Sequence, residues 1–296
     1  MAESTPPICD YEGSDYQTSF WEQGDRAYED TVESIALTRL LPPRGDFMLE
    51  LGAGAGRNTP RYHNFSRIAL VDYSRTQLLQ ARQRLGESPR FLYVAADIYR
   101  LPFVDGLFDA ATMIRTLHHM ADPDLALVQT RRVMRPEGVF ILEFANKRNL
   151  KSILRYLLGK QDWNPFSQEP VEFVHLNFDF HPKAIRHSLW ASGFDLEKQL
   201  TVSHFRMGFL KRYIPHSILT GLDSLLQWTG AWIQVSPSVF SRCRPLGGQK
   251  ATGDQIFQCP QCQKPLVGFE SDLHCAQCGT TYPYQEGIYD FRINKD

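Results

Sequence analysis

The sequence predicts an α/β protein, a seven-stranded doubly wound sheet followed by a small cysteine module, on three observations. Short apolar runs alternate with stretches of 3.6-residue apolar period, a glycine-rich loop follows the first run, and four of six cysteines cluster near the C-terminus. Length agrees, because 296 residues exceed what one core comfortably serves and imply a large domain plus an accessory module.

The expected strands are FMLEL (47–51), RIALVD (67–72), FLYVAAD (91–97), FDAATMI (108–114), VFILEFA (139–145), FDLEKQLTVS (194–203) and SPSVFSR (236–242). Residues 76–85 and 123–134 carry helical apolar spacing and supply crossovers, as parallel pairing requires. Pro136-Glu137-Gly138 reads as the turn that launches the fifth strand, and a helix over 182–191 is expected to end at Gly193. Stretches 146–181 and 204–235 break the rhythm and are expected to rise over the strands' carboxyl ends, where open α/β sheets bind ligands. The polar, glycine-rich run 244–254 divides the chain into a domain of residues 1–243, a linker and a module of residues 255–296.

Composition excludes several classes. With 43% hydrophobic and 22% charged residues the chain folds, and 32 Lys+Arg against 33 Asp+Glu give no global field toward nucleic acid or anionic lipid. The first residues lack the basic start and apolar run of a secretory signal, so a cytoplasmic location is expected.

The first strand runs into Gly52-Ala53-Gly54-Ala55-Gly56, a loop able to approach a ligand closely with its backbone. A helix is expected to start near Arg57-Asn58. Dinucleotide sites share such loops, but Glu50 immediately before this one would repel a pyrophosphate and could hold an ammonium. Asp72 ends the second strand, where it can accept from both hydroxyls of a ribose. Asp97 ends the third, where it can accept from an adenine amine, with Ile98 as an apolar face for the ring. These residues describe a pocket for an amino-acid-bearing nucleoside; capping of strand ends by the three acids is the plainer alternative.

This order of elements resembles the class I S-adenosylmethionine-dependent methyltransferases over roughly residues 20–243, and implies their Rossmann-like fold. The resemblance places cofactor contacts at Glu50, Gly52, Gly54, Asp72 and Asp97; Ala53, Gly56, Tyr73, Ile98 and Arg115 complete the expected pocket. RTLHHM (115–120), RVMRPEG (132–138) and FILEFAN (140–146) resemble the small-molecule branch, with Glu137 where glycine is commonest. The loop after the fourth strand holds no Asn/Asp-Pro-Pro-Tyr signature, and neither lone cysteine falls on a strand-end loop near the expected cofactor, which disfavours a thiolate adduct on pyrimidine C5, so O, N or activated C of a small molecule is the expected target. His118 and His119 are the candidate proton acceptors, against a reading in which one caps the strand and the other packs on the cofactor. His175, His181 and Glu143 are weaker candidates, and Tyr16, Trp21 and Tyr28 could form an aromatic lid.

Residues 149–160 form a basic amphipathic stretch, suited to anionic lipid, to a phosphate-bearing substrate or simply to a cap. Residues 216–236 are strongly apolar with Asp223 as their one charge; an active-site cap for a hydrophobic acceptor is expected, and segments 147–160 and 216–236 are also candidates for peripheral membrane contact.

Cys259-Pro-Gln-Cys262 and Cys275-Ala-Gln-Cys278, twelve residues apart, place two thiolate pairs on knuckle-like turns that can close a tetrahedral structural zinc site. An iron–sulfur cluster or a pair of redox disulfides is the alternative. The ribbon resembles short zinc-ribbon proteins that activate methyltransferases of the translation machinery, through CPQC (259–262), CAQCGTTYP (275–283) and Gly287-Ile288-Tyr289. The resemblance implies a comparable module joined in cis, structural or partner-binding. Three cations against five acids in residues 255–296 make it a poor nucleic-acid clamp. A methyltransferase of a small hydrophobic metabolite is the leading expectation; one acting on tRNA or a translation protein, and a non-catalytic cofactor-binding module, are its rivals.

Overall fold

The computed structural model describes residues 6–13, 26–266, 268 and 270–292. Tyr16 and Trp21, two of the three expected lid aromatics, and the terminal charges Lys295 and Asp296 lie outside the described residues.

All seven expected strands form: β1 (Gly45–Leu51), β2 (Phe65–Asp72), β3 (Phe91–Ala95), β4 (Phe108–Met113), β5 (Met134–Ala145), then β8 (Phe194–Val202) and β9 (Ser238–Pro245). Between the last groups lies a hairpin of β6 (Val171–Val174) and β7 (Asn177–Asp179); the C-terminal module adds β10 (Leu273–His274), β11 (Thr281–Tyr282), β12 (Tyr284–Gln285) and β13 (Ile288–Asp290). The helices are α1 (Ala27–Leu40), α2 (Arg75–Leu85), α3 (Pro123–Val133), α4 (Leu150–Leu157), α5 (Pro182–Ala191), α6 (Gly208–Tyr213) and α7 (His216–Leu226). Among the described residues no helix is long and apolar enough to cross a membrane.

Among the described residues the sheet has nine strands, not seven, in the order β12-β13-β3-β2-β1-β4-β5-β9-β8. The extra pair comes from the cysteine module: β13 joins β3 in parallel, with Ile288 beside Tyr93 and Asp290 beside Ala95, and β12 pairs antiparallel with β13. An open edge of β3 would present unpaired amides, and the module covers it. β9 runs antiparallel to β5 and β8, so the sheet is mixed.

Every residue of β4 is buried, as expected of a central strand covered on both faces. One face packs Met48, Ile68 and Leu70 against α1 and α2 through Val32, Leu37 and Leu78. On the other, Leu49, Val71 and Phe140 meet Leu127, Leu189 and the module's Phe257, Tyr289 and Phe291.

Four local expectations are corrected. β5 begins at Met134 and takes Pro136–Gly138 into itself, with a register shift opposite Phe108–Ala110 and Glu137 at φ 62°; the segment is a bulge, not a turn. After the glycine loop comes a short 3-10 turn over Thr59–Tyr62 instead of an α-helix at Arg57-Asn58. β3 stops at Ala95, so Asp97 does not end a strand; it caps the 3-10 turn Ile98–Arg100 by accepting from Tyr99 N at 2.8 Å. The 244–254 stretch is not free: β9 reaches Pro245, the Arg131 guanidinium donates to the Leu246 and Gly247 carbonyls, and Ala251 N donates to Gly106 O at 2.9 Å.

Candidate active site

At the carboxyl ends of β1, β2 and β4 a cavity is lined by the loop residues Gly52, Ala53, Gly54 and Ala55, by Asp72 and Tyr73 after β2, by Ile98, and by Arg115, Thr116 and His119 after β4. Gly52 has no substitute here: its φ is +66°, and a Cβ would meet Thr116 Oγ1 at 2.1 Å. Gly56 serves packing, since a Cβ there would press on Leu85 and Ala81 of α2 at 3.0 and 3.2 Å. It does not line the cavity.

Asp72 holds the loop in place. Its carboxylate accepts from Gly54 N at 2.8 Å and from Ser74 N at 2.9 Å, and burial pushes its pKa up to about 6 despite those bonds. Glu50 lies beneath the loop, 4% exposed and outside the lining, where it accepts from Thr59 Oγ1 at 2.6 Å. Burial raises its carboxyl to about 7. Asp97 also falls outside the lining, although its neighbour Ile98 is part of it.

A buried charge network supports the floor. Burial alone would raise Glu33, but Arg115 and Arg57 flank it and hold it down to about 2. Arg57 Nη2 and Arg115 Nε donate to it at 2.9 and 2.8 Å. Arg115 sits at φ 54°, fixed there by its backbone N–H on the Glu143 carboxylate at 2.8 Å. Burial raises Glu143 in turn.

The two histidines part company. His119 lines the cavity; its Nδ1 lies 3.0 Å from the Leu176 carbonyl, which accepts only, so Nδ1 carries the proton and Nε2 is the basic atom. Tyr11 OH donates to that Nε2 at 3.0 Å. Burial lowers the pKa of His119, partly opposed by the Leu176 bond. His118 packs against it with ring centroids 4.0 Å apart and planes tilted by 49°, its buried Nδ1 unpartnered and its pKa pushed well below the usual value by burial.

Sequence reading missed the N-terminal strap. Ile8, Cys9 and Tyr11 line the cavity, and Glu12 accepts from Arg75 N and Thr76 N at the start of α2, at 2.9 and 3.1 Å. Arg292 of the cysteine module donates to Glu12 at 3.1 Å and to the Tyr73 carbonyl at 3.4 Å. No local pattern announces this: residues 8–12 and 292 are brought to the cavity only by the fold. Tyr28 lies elsewhere, its hydroxyl on Asp223 at 2.6 Å. His175 is 86% exposed in its side chain, and His181 caps α5 by accepting from Lys183 N.

The four cysteine sulfurs of the module lie within 4.8 Å of one another. Cys259 and Cys278 are 3.6 Å apart and Cys262 and Cys275 3.3 Å, near the roughly 3.8 Å edge of a tetrahedron with bonds of about 2.3 Å. Both pairs sit on matching knuckles: Gln263 N donates to Cys259 O, and Gly279 N to Cys275 O. The donor set therefore fits a closed four-sulfur metal site.

Residues 49–142 match the family described as methyltransferase domain. The matched stretch runs from β1 into β5 and carries the glycine loop, Asp72 and the two histidines. An O-methyltransferase of Penicillium expansum is 30% identical over 152 residues, covering 47% of this chain and 54% of that one. A demethylmenaquinone methyltransferase of Clavibacter sepedonicus is 28% identical over 162 residues, covering 54% and 58%. The chain thus spans less than two thirds of the length of the curated relatives it matches, from 35% to 58% for the first three. A structure described as a complex between the Haloferax volcanii Trm112 methyltransferase activator and the putative methyltransferase aligns with TM-score 0.55 at 14% identity, over 78% of this chain and 96% of that chain. The fold is shared with S-adenosylmethionine-dependent methyltransferases of known structure.

Proposed function

We propose that the protein transfers a methyl group from S-adenosylmethionine to an oxygen, nitrogen or activated carbon of a small hydrophobic acceptor. The observation that carries this reading is His119 Nε2, held in its basic tautomer in the same cavity as the glycine loop and Asp72. A bound cofactor supplies a methyl group already activated on a sulfonium, so the protein's task is to position two reactants and accept a proton where the acceptor must lose one.

In this reading the Gly52–Gly54 amides and Asp72 receive the nucleoside, Tyr73 and Ile98 flank its ring, and Asp97 stands beside Ile98 for the amine. Glu50, raised by burial to about 7 and so only partly ionised near neutrality, is drawn further into its ionised form by a cation at the loop. His119 is the proton acceptor, and His118 packs against it. The relatives' names include O-methylation and menaquinone methylation, both on small molecules, which supports this acceptor class.

The four cysteines are proposed to hold a structural zinc ion, and the module to serve as a built-in counterpart of the separate activator named in the Haloferax complex. Its strand β13 on β3 is the feature that supports a supporting role inside the chain.

Calorimetry with the cofactor tests the reading first: binding on the order of micromolar is expected, lost in Asp72→Ala. Absence of binding by the unaltered protein would remove the proposal. Methyl-labelled cofactor incubated with a metabolite extract and an RNA fraction then decides the acceptor; label in RNA would favour the macromolecular reading. Metal analysis should return one zinc per chain.

A further inference from the structure

Segments 147–160 and 204–236 differ from the rest of the surface in both apolar exposure and charge. Among the described residues, twenty large apolar side chains are exposed; four fall in 147–160 and ten in 204–236. A soluble surface rarely gathers exposed apolar groups so densely without an interaction that uses them. The most open are Leu157 at 69%, Leu158 at 68%, Tyr213 at 75%, Leu225 at 71% and Trp232 at 81%.

The two segments adjoin. Leu150 N, at the start of α4, donates to Val235 O at 2.8 Å, and the Asn146 amide donates to Gln234 O and Ser236 O. Trp232 and Ile233 therefore lie beside the first turn of α4, and α7 continues the surface on the other side.

Charge on this face has one sign. Lys151, Arg155, Lys160 and Arg212 are exposed, while the single acid in the two segments, Asp223, is fully buried, where it accepts from Tyr28 OH and His204 N. Acids return at Asp162, just past the first segment. For a chain with a net charge of -1, a cationic apolar face of this kind is a local construction.

We infer that this face docks on an anionic lipid bilayer, with Leu157, Leu225 and Trp232 entering the headgroup region and Lys151, Arg155 and Arg212 meeting lipid phosphates. Exposed leucines and tryptophan flanked by Lys and Arg, with no exposed acid in either segment, is the chemistry of an interfacial surface, and three or four cations supply the electrostatic part. A protein partner of the same size would have to offer both a broad apolar patch and a matched acidic rim; the bilayer provides both at once. Closer to the cavity, Phe173 and Val174 are exposed at 51% and 63% beside an exposed Glu172, and Leu176, two residues on, accepts from His119. Delivery of an acceptor from lipid to the cavity rests on the proposed activity; docking itself does not.

Sedimentation of the full chain with vesicles tests the docking without any turnover. Pelleting is expected with phosphatidylglycerol–phosphatidylcholine vesicles, weakened by salt, and little with phosphatidylcholine alone. Lys151→Glu/Arg155→Glu should reduce partitioning at least ~tenfold, and Leu157→Ser/Trp232→Ser should abolish it, with cofactor affinity and melting temperature unchanged. No pelleting with anionic vesicles, or equal pelleting with neutral ones, overturns the inference. So does a dimer in size-exclusion chromatography that Leu157→Ser/Trp232→Ser converts to monomer, which would make a second copy the occupant.

Discussion

Two additions to one sheet treat the same kind of side chain in opposite ways. At the β3 edge, Phe257, Tyr289 and Phe291 are 3%, 1% and 2% exposed and stack within 4.7 to 6.5 Å of one another, with Phe103 of the main domain 5.7 Å from Phe257. On α4, α6 and α7, by contrast, the apolar side chains stand largely in solvent. Apolar content in an accessory segment therefore has two meanings, and burial separates them: the module's aromatics stabilise the fold, whereas the cap's are left for something outside the chain.

Withdrawal of the proposed zinc should produce the largest effect. Binding free energy in a small metal module is folding free energy, and here the module also covers the β3 edge and Phe103. Chelation, or Cys259→Ser, is expected to lower the melting temperature of the whole chain in one transition, with a loss of several kcal/mol. A module that melts alone, leaving the upper calorimetric transition in place, would break the comparison. For the same reason a chain truncated before residue 255 should be unstable and uninformative about substrate choice.

The next test sets the two regions side by side. Phe257→Ala removes a buried ring and should cost about 3–5 kcal/mol in urea unfolding, while Trp232→Ala, from a side chain 81% exposed, should change stability by less than about 0.5 kcal/mol. A large cost for Trp232→Ala would mean that the cap is part of the core after all.

Glu33 belongs to neither region but to the charge network at the cavity, paired with Arg57 and Arg115, and its acid titration is expected to be smaller in effect. Because its folded pKa is lowered from 4.5 to about 2, its contribution is complete above the unfolded value and is lost as pH falls through that window. Stability measured by denaturant from pH 5 to pH 2 should show up to about 3 kcal/mol less of this acid limb in Glu33→Gln than in the unaltered protein. An identical acid limb would show that Arg57 and Arg115 do not hold this carboxylate.

The seven long strands were legible because runs such as RIALVD and FILEFA are apolar over most of a strand's length and are separated by helical periods. β12 and β13 were not, because two and three residues carry no period, and their place is set by a partner strand almost two hundred residues away. The glycine loop and Asp72 announced the cavity by spacing alone. Glu50 and Asp97 were read as pocket residues from their positions after apolar runs, yet one accepts from Thr59 below the loop and the other caps Tyr99. Thr116, adjacent to the histidines, was open to inference from the need for a glycine at 52; Ile8, Cys9 and Tyr11 were not, since only tertiary contact brings them in.

That N-terminal strap touches both regions, which makes its loss the finest test of how they communicate. Glu12 is bonded to Arg292 of the module, and Tyr11 to His119, whose other nitrogen is held by Leu176 beside the cap. The Tyr11 hydroxyl donates to the neutral ring, so it favours the unprotonated form and adds to the lowering that burial already imposes on His119. Tyr11→Phe should therefore raise the pKa of His119 by less than about one unit, the worth of one hydrogen bond of roughly 1 kcal/mol. In methyl-transfer assays across pH, the acid limb should move to higher pH by that amount while the plateau is kept. His119→Gln, by contrast, should lower the plateau itself by about 10²-fold or more if an acceptor proton must be removed. An acid limb that stays in place in Tyr11→Phe but moves in Arg292→Ala would mean that the strap acts on the site from the module side alone, through Glu12 and α2.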